Sequence, residues 1–234
     1  MSQQSCVILA GGLGTRLRSV VADVPKCLAP VRGRPFLHWQ IESLRSRGVD
    51  HFVLALGHGA SMVKDAMRDF APDLALDCFT EPRALGTGGA IAFALDAGGL
   101  AEALVANGDT YLGGDLAQML APIDDASGER LRIAVTGVPD RGRFGGVEVS
   151  STGRVERFVE KGTHAPGRIN AGLYRVRRAA LPPGHDQSYS LESEVFPALA
   201  ARGELSAVDL AGPFIDIGVP EDYGRYCDDH EHYR

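Results

Sequence analysis

A short apolar run that ends in a glycine-rich loop is the feature that most constrains the fold of this chain. Residues 6–10 (CVILA) have the length and composition of a buried strand in a parallel sheet, and GGLGTRL (11–17) follows directly. The glycines let backbone N–H groups approach an anion without obstruction by Cβ atoms. Arg16 adds a guanidinium that can donate two parallel hydrogen bonds to phosphate oxygens. The pattern therefore predicts an α/β fold with an anion site at its first turn.

Two common phosphate motifs do not fit this loop. The dinucleotide pattern G-x-G-x-x-G would need glycine where Leu17 stands, and the pattern G-x-x-x-x-G-K-[ST] is absent, so a nicotinamide dehydrogenase is disfavoured. Lys26, which follows Pro25, supplies a second cation suited to a phosphate whose charge changes during reaction. A glycine turn alone favours a plain tight turn with solvated cations. The loop together with Arg16 and Lys26 favours a phosphate site.

The composition argues against several classes of protein. The 234 residues are 44% hydrophobic and 23% charged, as in an ordinary globular protein. A formal net charge of −6 argues against coating nucleic acid or an anionic membrane, although a few placed cations can hold an anionic small molecule. No apolar run approaches the roughly 18 residues of a membrane span, and the N-terminus lacks a signal-peptide pattern. The four cysteines show no C-x-x-C pairing, so we expect a reduced, cytoplasmic protein without a zinc site.

Strand and helix patterns alternate through the first half of the chain, which predicts a parallel sheet with helices on both faces. The second half offers strand patterns separated by turns, then a helix that Ser190 can cap, with Glu192 in its first turn. We expect one domain over 1–234, with a nucleotide-binding half at about 1–112 and a substrate half at about 113–234. The expected strands are 6–10, 51–56, 74–81, 103–109, 131–138, 145–150, 154–161 and 169–176, and the expected helices are 36–47, 90–97 and a segment with Val63, Met67 and Phe70 on one face.

Two acidic residues lie where a ligand is expected. Asp109 ends the strand pattern and follows Asn107 and Gly108, and open α/β sheets bind ligands at the carboxyl ends of their strands. Taken alone, an aspartate there is more often a turn former. Asp216 stands between two isoleucines, and an acid in an apolar strand needs a partner, either a salt-bridging cation or a metal. Two carboxylates with substrate phosphates are the usual ligands of Mg²⁺.

The order of these segments resembles that of the nucleotide-diphospho-sugar transferase family, the sugar-1-phosphate nucleotidylyltransferases. Their pattern is a strand, then G-G-x-G-T-R-L, then P-K, and the likeness extends over about residues 5–223 through FGGV (144–147), FVEK (158–161) and NAGLY (170–174). The resemblance implies a Rossmann-like, mixed but mainly parallel sheet flanked by helices, of the GT-A-like kind. It also implies Mg²⁺ as cofactor, with an NTP and a sugar 1-phosphate as substrates.

The same resemblance implies roles for individual residues. The segment 85–90 would form a loop over the nucleotide base, and Glu81 would face the base edge, where it can accept hydrogen bonds from guanine. Glutamate also occurs in uridylyl members, and EPRALGT (81–87) is longer than the usual E-P-L-G-T. The implied catalytic residues are Arg16, Lys26, Asp109, Lys161 and Asp216; the metal ligands Asp109 and Asp216; the nucleotide-binding residues Leu9, Ala10, Gly11, Gly12, Gly14, Thr15, Arg16, Glu81, Gly86, Thr87, Asn107 and Gly108; and the sugar-phosphate-binding residues Asp109, Gly145, Glu160, Lys161 and Asn170.

Two segments favour one group within the family. RSVV (18–21) and FIDIGVPEDY (214–223) resemble the D-glycero-D-manno-heptose 1-phosphate guanylyltransferases, which implies GTP as the nucleotide. The same reaction with mannose 1-phosphate and GTP, or with N-acetylmuramate 1-phosphate and UTP, remains an alternative. So does a non-catalytic, sugar-nucleotide-sensing subunit, although such proteins tend to lose the arginine, the lysine or an aspartate that this chain retains. Cys27, where proline is commoner, leaves Lys26 in place. The sequence does not distinguish a monomer from a homo-oligomer.

Overall fold

The structure is a computed structural model that describes residues 3–12, 14, 16–22, 24–184 and 187–233. Its helices are α1 (Phe36–Ser46), α2 (Ala60–Phe70), α3 (Gly86–Ala97), α4 (Ala117–Leu120), α5 (Phe196–Ala201) and α6 (Pro220–Asp228). Its strands are β1 (Ser5–Leu9), β2 (Pro30–Val31), β3 (Arg34–Pro35), β4 (His51–Leu56), β5 (Leu76–Thr80), β6 (Glu102–Asn107), β7 (Thr110–Leu112), β8 (Leu131–Val138), β9 (Gly146–Val149), β10 (Val155–Val159), β11 (Gly167–Arg177), β12 (Leu205–Asp209) and β13 (Phe214–Asp216). Within these ranges, every helix is too short or too polar to span a bilayer.

A seven-stranded mixed sheet forms the centre, in the order β12-β8-β11-β6-β1-β4-β5. The first half contributes the parallel block β6-β1-β4-β5, and β12 also runs parallel to β8. Strand β11 is antiparallel to both of its neighbours and joins the two halves. The expected Rossmann-like, mainly parallel sheet flanked by helices is confirmed.

Alternation along β1 explains why helices cover both faces. Cys6 and Ile8 point into a core shared with α1 and α2, whereas Val7 points into a second core shared with α3. All three side chains are fully buried, and each aliphatic side chain buried this way stabilises the fold by about 1.5–3 kcal/mol. The strand therefore reads as a continuous apolar run, as expected for a parallel strand between two helical layers.

Most of the expected elements are confirmed, and two differ. The expected helix at 90–97 begins at Gly86, so the segment 85–90 is the first turn of α3 and not a loop. Phe70 was placed on the buried face of α2, but it is 39% exposed, because the buried face of that helix ends with Val63 and Met67.

Glycines at the start of α3 allow residues 187–191 to lie directly on that helix. The N–H groups of Gly88 and Gly89 point at the carbonyl oxygen of Tyr189, at 3.1 and 3.4 Å, and the Tyr189 N–H donates to the Leu85 carbonyl. A Cβ atom at Gly89 would lie 2.5 Å from the Gln187 carbonyl oxygen. The expected cap is also confirmed: Ser190 accepts a hydrogen bond from the Ser193 N–H, ahead of α5. Contact with 187–191 thus explains why helix geometry extends into a glycine-rich segment.

Strand β13 pairs antiparallel with β7 and brings the end of the chain back to the middle of the fold. Asp216 lies opposite Thr110 in this ladder. An aromatic cluster packs behind the pair, in which the ring centroid of Tyr226 lies 5.2 Å from that of Phe36 and 5.9 Å from that of Tyr111. This packing fixes α6 on the sheet and holds β13 next to the end of β6.

We expect Gly89→Ala to destabilise the protein by roughly 1–3 kcal/mol, because the added methyl group meets a backbone carbonyl that cannot move without displacing 187–191. Gly137→Ala is the matched control, since no described atom lies within 4 Å of a Cβ built there. Urea unfolding of both variants measures the difference. Equal midpoints for the two variants would contradict the described packing.

Candidate functional site

A cavity of about 780 Å³ opens where β1, β4 and β6 end. It lies at the carboxyl ends of parallel strands, the place where open α/β sheets bind ligands. Thr15, a predicted nucleotide-binding residue, lies outside the described residues. The other predicted nucleotide-binding residues all line the cavity: Leu9, Ala10, Gly11, Gly12, Gly14, Arg16, Glu81, Gly86, Thr87, Asn107 and Gly108.

The glycines of the first loop have different structural roles. A Cβ atom at Gly11 would lie 2.9 Å from the Gly57 N atom, so Gly11 serves the packing of the loop against the end of β4. At Gly12 no described atom lies within 4 Å of such a Cβ, so this part of the backbone faces the open cavity. Arg16 is exposed and also lines the cavity. Space for an anion is therefore found beside Gly12 and Arg16.

Lys26, Asp109 and Asp216 converge on one point at the wall of the cavity. The Lys26 Nζ atom contacts Asp109 Oδ2 directly and lies 3.6 Å from Asp216 Oδ1. The Lys26 side chain is only 12% exposed. A Cβ atom at Gly218 would lie 2.6 Å from both Lys26 Nζ and Asp216 Oδ1, so a side chain at this position would have to displace both charged groups. Asp216 itself is held by the Gly218 N–H, which donates to Oδ1 at 2.7 Å.

The turn after β6 places Asp109 through contacts with several elements. The Gly108 N–H donates to the Leu9 carbonyl at 3.0 Å, and the Ile217 N–H donates to the Asp109 carbonyl at 2.9 Å. The Thr110 hydroxyl donates to Asp109 Oδ1 at 3.0 Å. Leu9 at the end of β1 and Ile217 just after β13 thus hold the turn from two sides. Strand pairing therefore determines where the Asp109 and Asp216 carboxylates lie.

The two carboxylates are suitable ligands for a divalent cation. Their oxygens reach a common point, which the Lys26 ammonium occupies, and one ammonium leaves the pair with a net negative charge. Two carboxylates, completed by waters and substrate phosphates, are a donor set that Mg²⁺ accepts. Among the described residues, no group of three or more histidine, cysteine or acidic side chains is placed to hold a metal.

Arg143 is a further cation near Asp216 that the sequence analysis did not identify. Its guanidinium pairs with the buried Asp222 carboxylate, lies 3.9 Å from Asp216 Oδ2 and covers the Phe144 ring at 4.3 Å. It stands directly before FGGV (144–147), a segment that matches the family and in which only Gly145 is assigned a role. It approaches Oδ2 of Asp216, whereas Lys26 approaches Oδ1, and the nearer partner of its own charge is Asp222.

The predicted sugar-phosphate-binding residues lie beyond the lining of the large cavity, apart from Asp109. Gly145 packs against the Val159 carbonyl, and a Cβ atom there would lie 3.7 Å from Lys161. Glu160 and Lys161 follow β10 and are exposed. These residues share a region because β9 and β10 pair antiparallel.

Asn170 connects this region to the nucleotide side. Its amide donates to the Tyr174 hydroxyl at 3.1 Å, and its Oδ1 accepts from the Gly172 N–H at 3.0 Å. The hydrogen bonds of the Tyr174 hydroxyl to Asn170 and Asn107 lower the pKa of that group, but complete burial dominates and raises it. A neutral hydroxyl therefore joins an asparagine of the sugar side to an asparagine of the cavity.

Glu192 is a cavity residue whose role the sequence analysis missed. Its Oε2 accepts from the Thr87 hydroxyl at 2.6 Å and from the Ser190 hydroxyl at 3.1 Å. The Leu191 N–H donates to Thr87 Oγ1 at 2.9 Å. The sequence predicts only that Glu192 lies in the first turn of a helix. Besides Lys26 and Asp109, the other lining residues that were not predicted as nucleotide-binding are Cys27, Ala55, Gly57, His58, Arg83, Ala84, Ala90 and Gly218.

Glu81 lies half-buried on the cavity wall. Its Oε2 accepts a hydrogen bond from the Leu85 N–H at 2.9 Å, and its Oε1 faces Gly11. Burial raises the pKa of the Glu81 carboxyl above its usual value, and the Leu85 hydrogen bond only partly opposes this. The segment 81–85 therefore closes a turn onto the carboxylate and leaves Oε1 toward the loop.

Comparison with known proteins connects this geometry to one family. A family model described as "Nucleotidyl transferase" matches residues 5–231. A D-glycero-alpha-D-manno-heptose 1-phosphate guanylyltransferase of Aneurinibacillus thermoaerophilus is 32% identical over 228 residues, which cover 97% of this chain and 98% of that protein. Mannose-1-phosphate guanylyltransferase 1 of Arabidopsis thaliana is 36% identical over 224 residues, but the match spans only 62% of its length. The crystal structure of HddC from Yersinia pseudotuberculosis complexed with GMP-PN has a TM-score of 0.85 and 34% identity, and the match covers 97% of this chain and 100% of that one.

The raised pKa of Glu81 predicts how the effect of Glu81→Gln on the melting temperature changes with pH. A raised carboxyl pKa means that ionising Glu81 costs more in the folded state than in the unfolded state. The wild-type protein therefore loses no stability to this ionisation below about pH 4.5, and the loss is complete above the raised pKa. The melting temperature of Glu81→Gln relative to wild type should therefore be higher at pH 7 than at pH 4. Melting curves of both proteins across this range measure it. A difference that stays constant or falls with pH would contradict the assigned cause.

Proposed function

Because the chain belongs to the nucleotidyl transferase family, we propose that it transfers GMP from GTP to D-glycero-D-manno-heptose 1-phosphate and releases pyrophosphate. One observation carries the reaction class: Lys26, Asp109 and Asp216 converge beside a glycine loop at the wall of a cavity of about 780 Å³. That volume is within the range of pockets that take small organic ligands. The binding-subunit alternative is disfavoured, because Arg16, Lys26, Asp109 and Asp216 are all retained and the last three lie together.

The choice of heptose rests on matched length as well as on sequence. The heptose 1-phosphate enzyme of Aneurinibacillus thermoaerophilus matches over 98% of its length, whereas the Arabidopsis thaliana mannose 1-phosphate enzyme matches over 62%. The segments RSVV (18–21) and FIDIGVPEDY (214–223) favour the same choice. Mannose 1-phosphate remains the second candidate acceptor, since the plant enzyme has the higher identity, 36% against 32%.

The chain's part in the reaction is to position two anions and to neutralise their charge. A phosphate oxygen of the sugar 1-phosphate attacks the α-phosphorus of GTP in line, the bond to the β-phosphate bridging oxygen breaks, and pyrophosphate leaves. The attacking oxygen is already anionic, so no general base and no covalent enzyme intermediate are needed. Arg16 and Lys26 on the nucleotide side, and Lys161 on the sugar side, offset the repulsion between the substrates.

We assign Asp109 and Asp216 as the residues that would hold Mg²⁺. When bound, the ion supplies Lewis-acid neutralisation of phosphate oxygens. The net negative charge of the Lys26, Asp109 and Asp216 cluster favours a further cation, and Gly218 keeps the space around the carboxylates free of a side chain. We place the reaction in the cytoplasm, where cysteines stay reduced, because all four cysteines are unpaired and two of them are buried.

Pyrophosphate release across a panel of NTPs and sugar 1-phosphates tests the proposal. We expect release to be fastest with GTP and D-glycero-α-D-manno-heptose 1-phosphate, and to require a divalent cation. Faster release with GTP and mannose 1-phosphate would make mannose 1-phosphate the acceptor, and the proposed reaction class would still hold. No release with any pair would indicate a binding protein.

Asp109→Asn should reduce turnover by about 10²-fold or more, because the amide keeps the shape of the side chain but loses the charge expected to hold the cation. The melting temperature should change little by comparison. Asp73→Asn, at an exposed position distant from the cavity, is the matched control and should keep wild-type turnover. Turnover of Asp109→Asn near that of wild type would remove Asp109 from the mechanism.

A further inference from the structure

A polar side chain lies on the buried face of α1. Gln40 is 4% exposed and stands one residue before Ile41 on the apolar side of the helix. A buried amide costs free energy unless its polar atoms are hydrogen-bonded. A side chain of this kind among Leu37, Ile41 and Leu44 therefore calls for a specific partner.

The partners of Gln40 are the two ends of the turn that carries Asp109. Its Nε2 donates to the Asn107 carbonyl and to the Thr110 carbonyl, each at 2.7 Å. The two hydrogens of one amide nitrogen are thereby both used, whereas Oε1 has no hydrogen-bond partner among the described residues. These bonds join the last residue of β6 to the first residue of β7 across Gly108 and Asp109.

The chemistry of the turn selects glutamine at this position. Both partners are carbonyl oxygens, which only accept hydrogen bonds, so the amide nitrogen must face them. Glutamate has the same length, but its ionised carboxylate would place a third acceptor against the two carbonyls. A methionine of similar size would leave both carbonyls without this donor.

The same helix contacts the following residues in register. Ser43 donates to the Tyr111 hydroxyl at 3.0 Å, and Arg47 donates to the Gly114 carbonyl at 3.1 Å. Positions 40, 43 and 47 share one side of a helix, because 3.6 residues complete a turn. The polar residues at positions 40, 43 and 47 thus follow the chain from Asn107 to Gly114, and Gln40 is the one that contacts the turn itself.

We propose that Gln40 is a positioning residue that sets the place of the Asp109 carboxylate in the transferase site. The inference rests on the proposed function. Strands β1 and β13 hold the turn at Gly108 N–H and at the Asp109 carbonyl, and Gln40 fixes its span from the opposite side. Asp109 carries its carboxylate toward Lys26 and Asp216, so a shift of the turn changes the geometry of all three charges.

Gln40→Met tests the proposal in the full-length protein. We expect kcat for pyrophosphate release to fall by roughly 10- to 100-fold, since a misplacement of about 1 Å at a reacting centre has an effect of this size. The KM for GTP should change much less, because the glycine loop is untouched. Amide hydrogen exchange over 107–112 should also become faster in the variant.

Ser43→Ala is the matched control on the same helix. It removes the Tyr111 contact and leaves the Gln40 bonds in place, so kcat should stay close to wild type. If Gln40→Met does not fold, Gln40→Glu replaces it and should show the same loss of kcat. Equal losses in Ser43→Ala and Gln40→Met, or a Gln40 variant with wild-type kcat, would overturn the proposal.

Hydrogen exchange separates this proposal from the function on which it rests. If wild type releases no pyrophosphate with any substrate pair, the proposed function fails, whatever Gln40 does. Unchanged exchange over 107–112 in Gln40→Met would show instead that Gln40 does not hold the turn. That result would overturn the inference while leaving the proposed function intact.

Discussion

The contact of the Lys26 ammonium with the Asp109 and Asp216 carboxylates is the interaction around which the site is built. Asp109 is 83 residues from Lys26 in the chain, and Asp216 lies close to the C-terminus. Their convergence therefore depends on strand pairing: β1 pairs with β6, and β7 pairs with β13. A Cβ atom at Gly218 would meet two of these charged groups, so a side chain there would displace them. A site that gathers charge in this way is suited to a highly charged substrate.

The rest of the fold keeps these groups in place. Helix α1 contributes apolar residues to one core and, through Gln40, two hydrogen bonds to the turn that carries Asp109. The aromatic cluster behind β7 and β13 fixes the strand that carries Asp216. Residues 187–191 lie on the start of α3 and bring Glu192 to the cavity. The elements that form the hydrophobic cores therefore also position the residues of the site.

The sequence predicted local structure well where one physical signal dominates. The bounds of β4 and β8 agree with the expected strands because both are short, mainly apolar segments between turns. The start of α3 was missed, because glycine has low helix propensity and the compensating contact with Tyr189 comes from about a hundred residues further along the chain. Phe70 was misplaced because helical periodicity does not show where a neighbouring core ends.

The site residues also divide into those that local sequence predicts and those whose place depends on the tertiary fold. The loop and its two cations could be recognised from spacing, but their convergence with Asp109 and Asp216 was expected only from a family resemblance, since strand order is not written in local sequence. The sequence predicts that every loop glycine lets the backbone approach an anion. In the structure, Gly11 instead allows the loop to pack against Gly57, and only Gly12 borders open space in the cavity. Gln40 could not be predicted from helical periodicity, because that pattern identifies only the apolar residues of α1. A polar residue on an apolar helix face is the signal that could have found it.

The most direct measurement is anomalous scattering from Mn²⁺ in crystals grown with a non-hydrolysable GTP analogue. The account predicts a metal peak in direct contact with the Asp109 and Asp216 carboxylates, the nucleotide phosphates beside Gly12 and Arg16, and the Lys26 ammonium turned to those phosphates. A nucleotide bound elsewhere, or a metal bound away from both carboxylates while Lys26 still joins them, would contradict it.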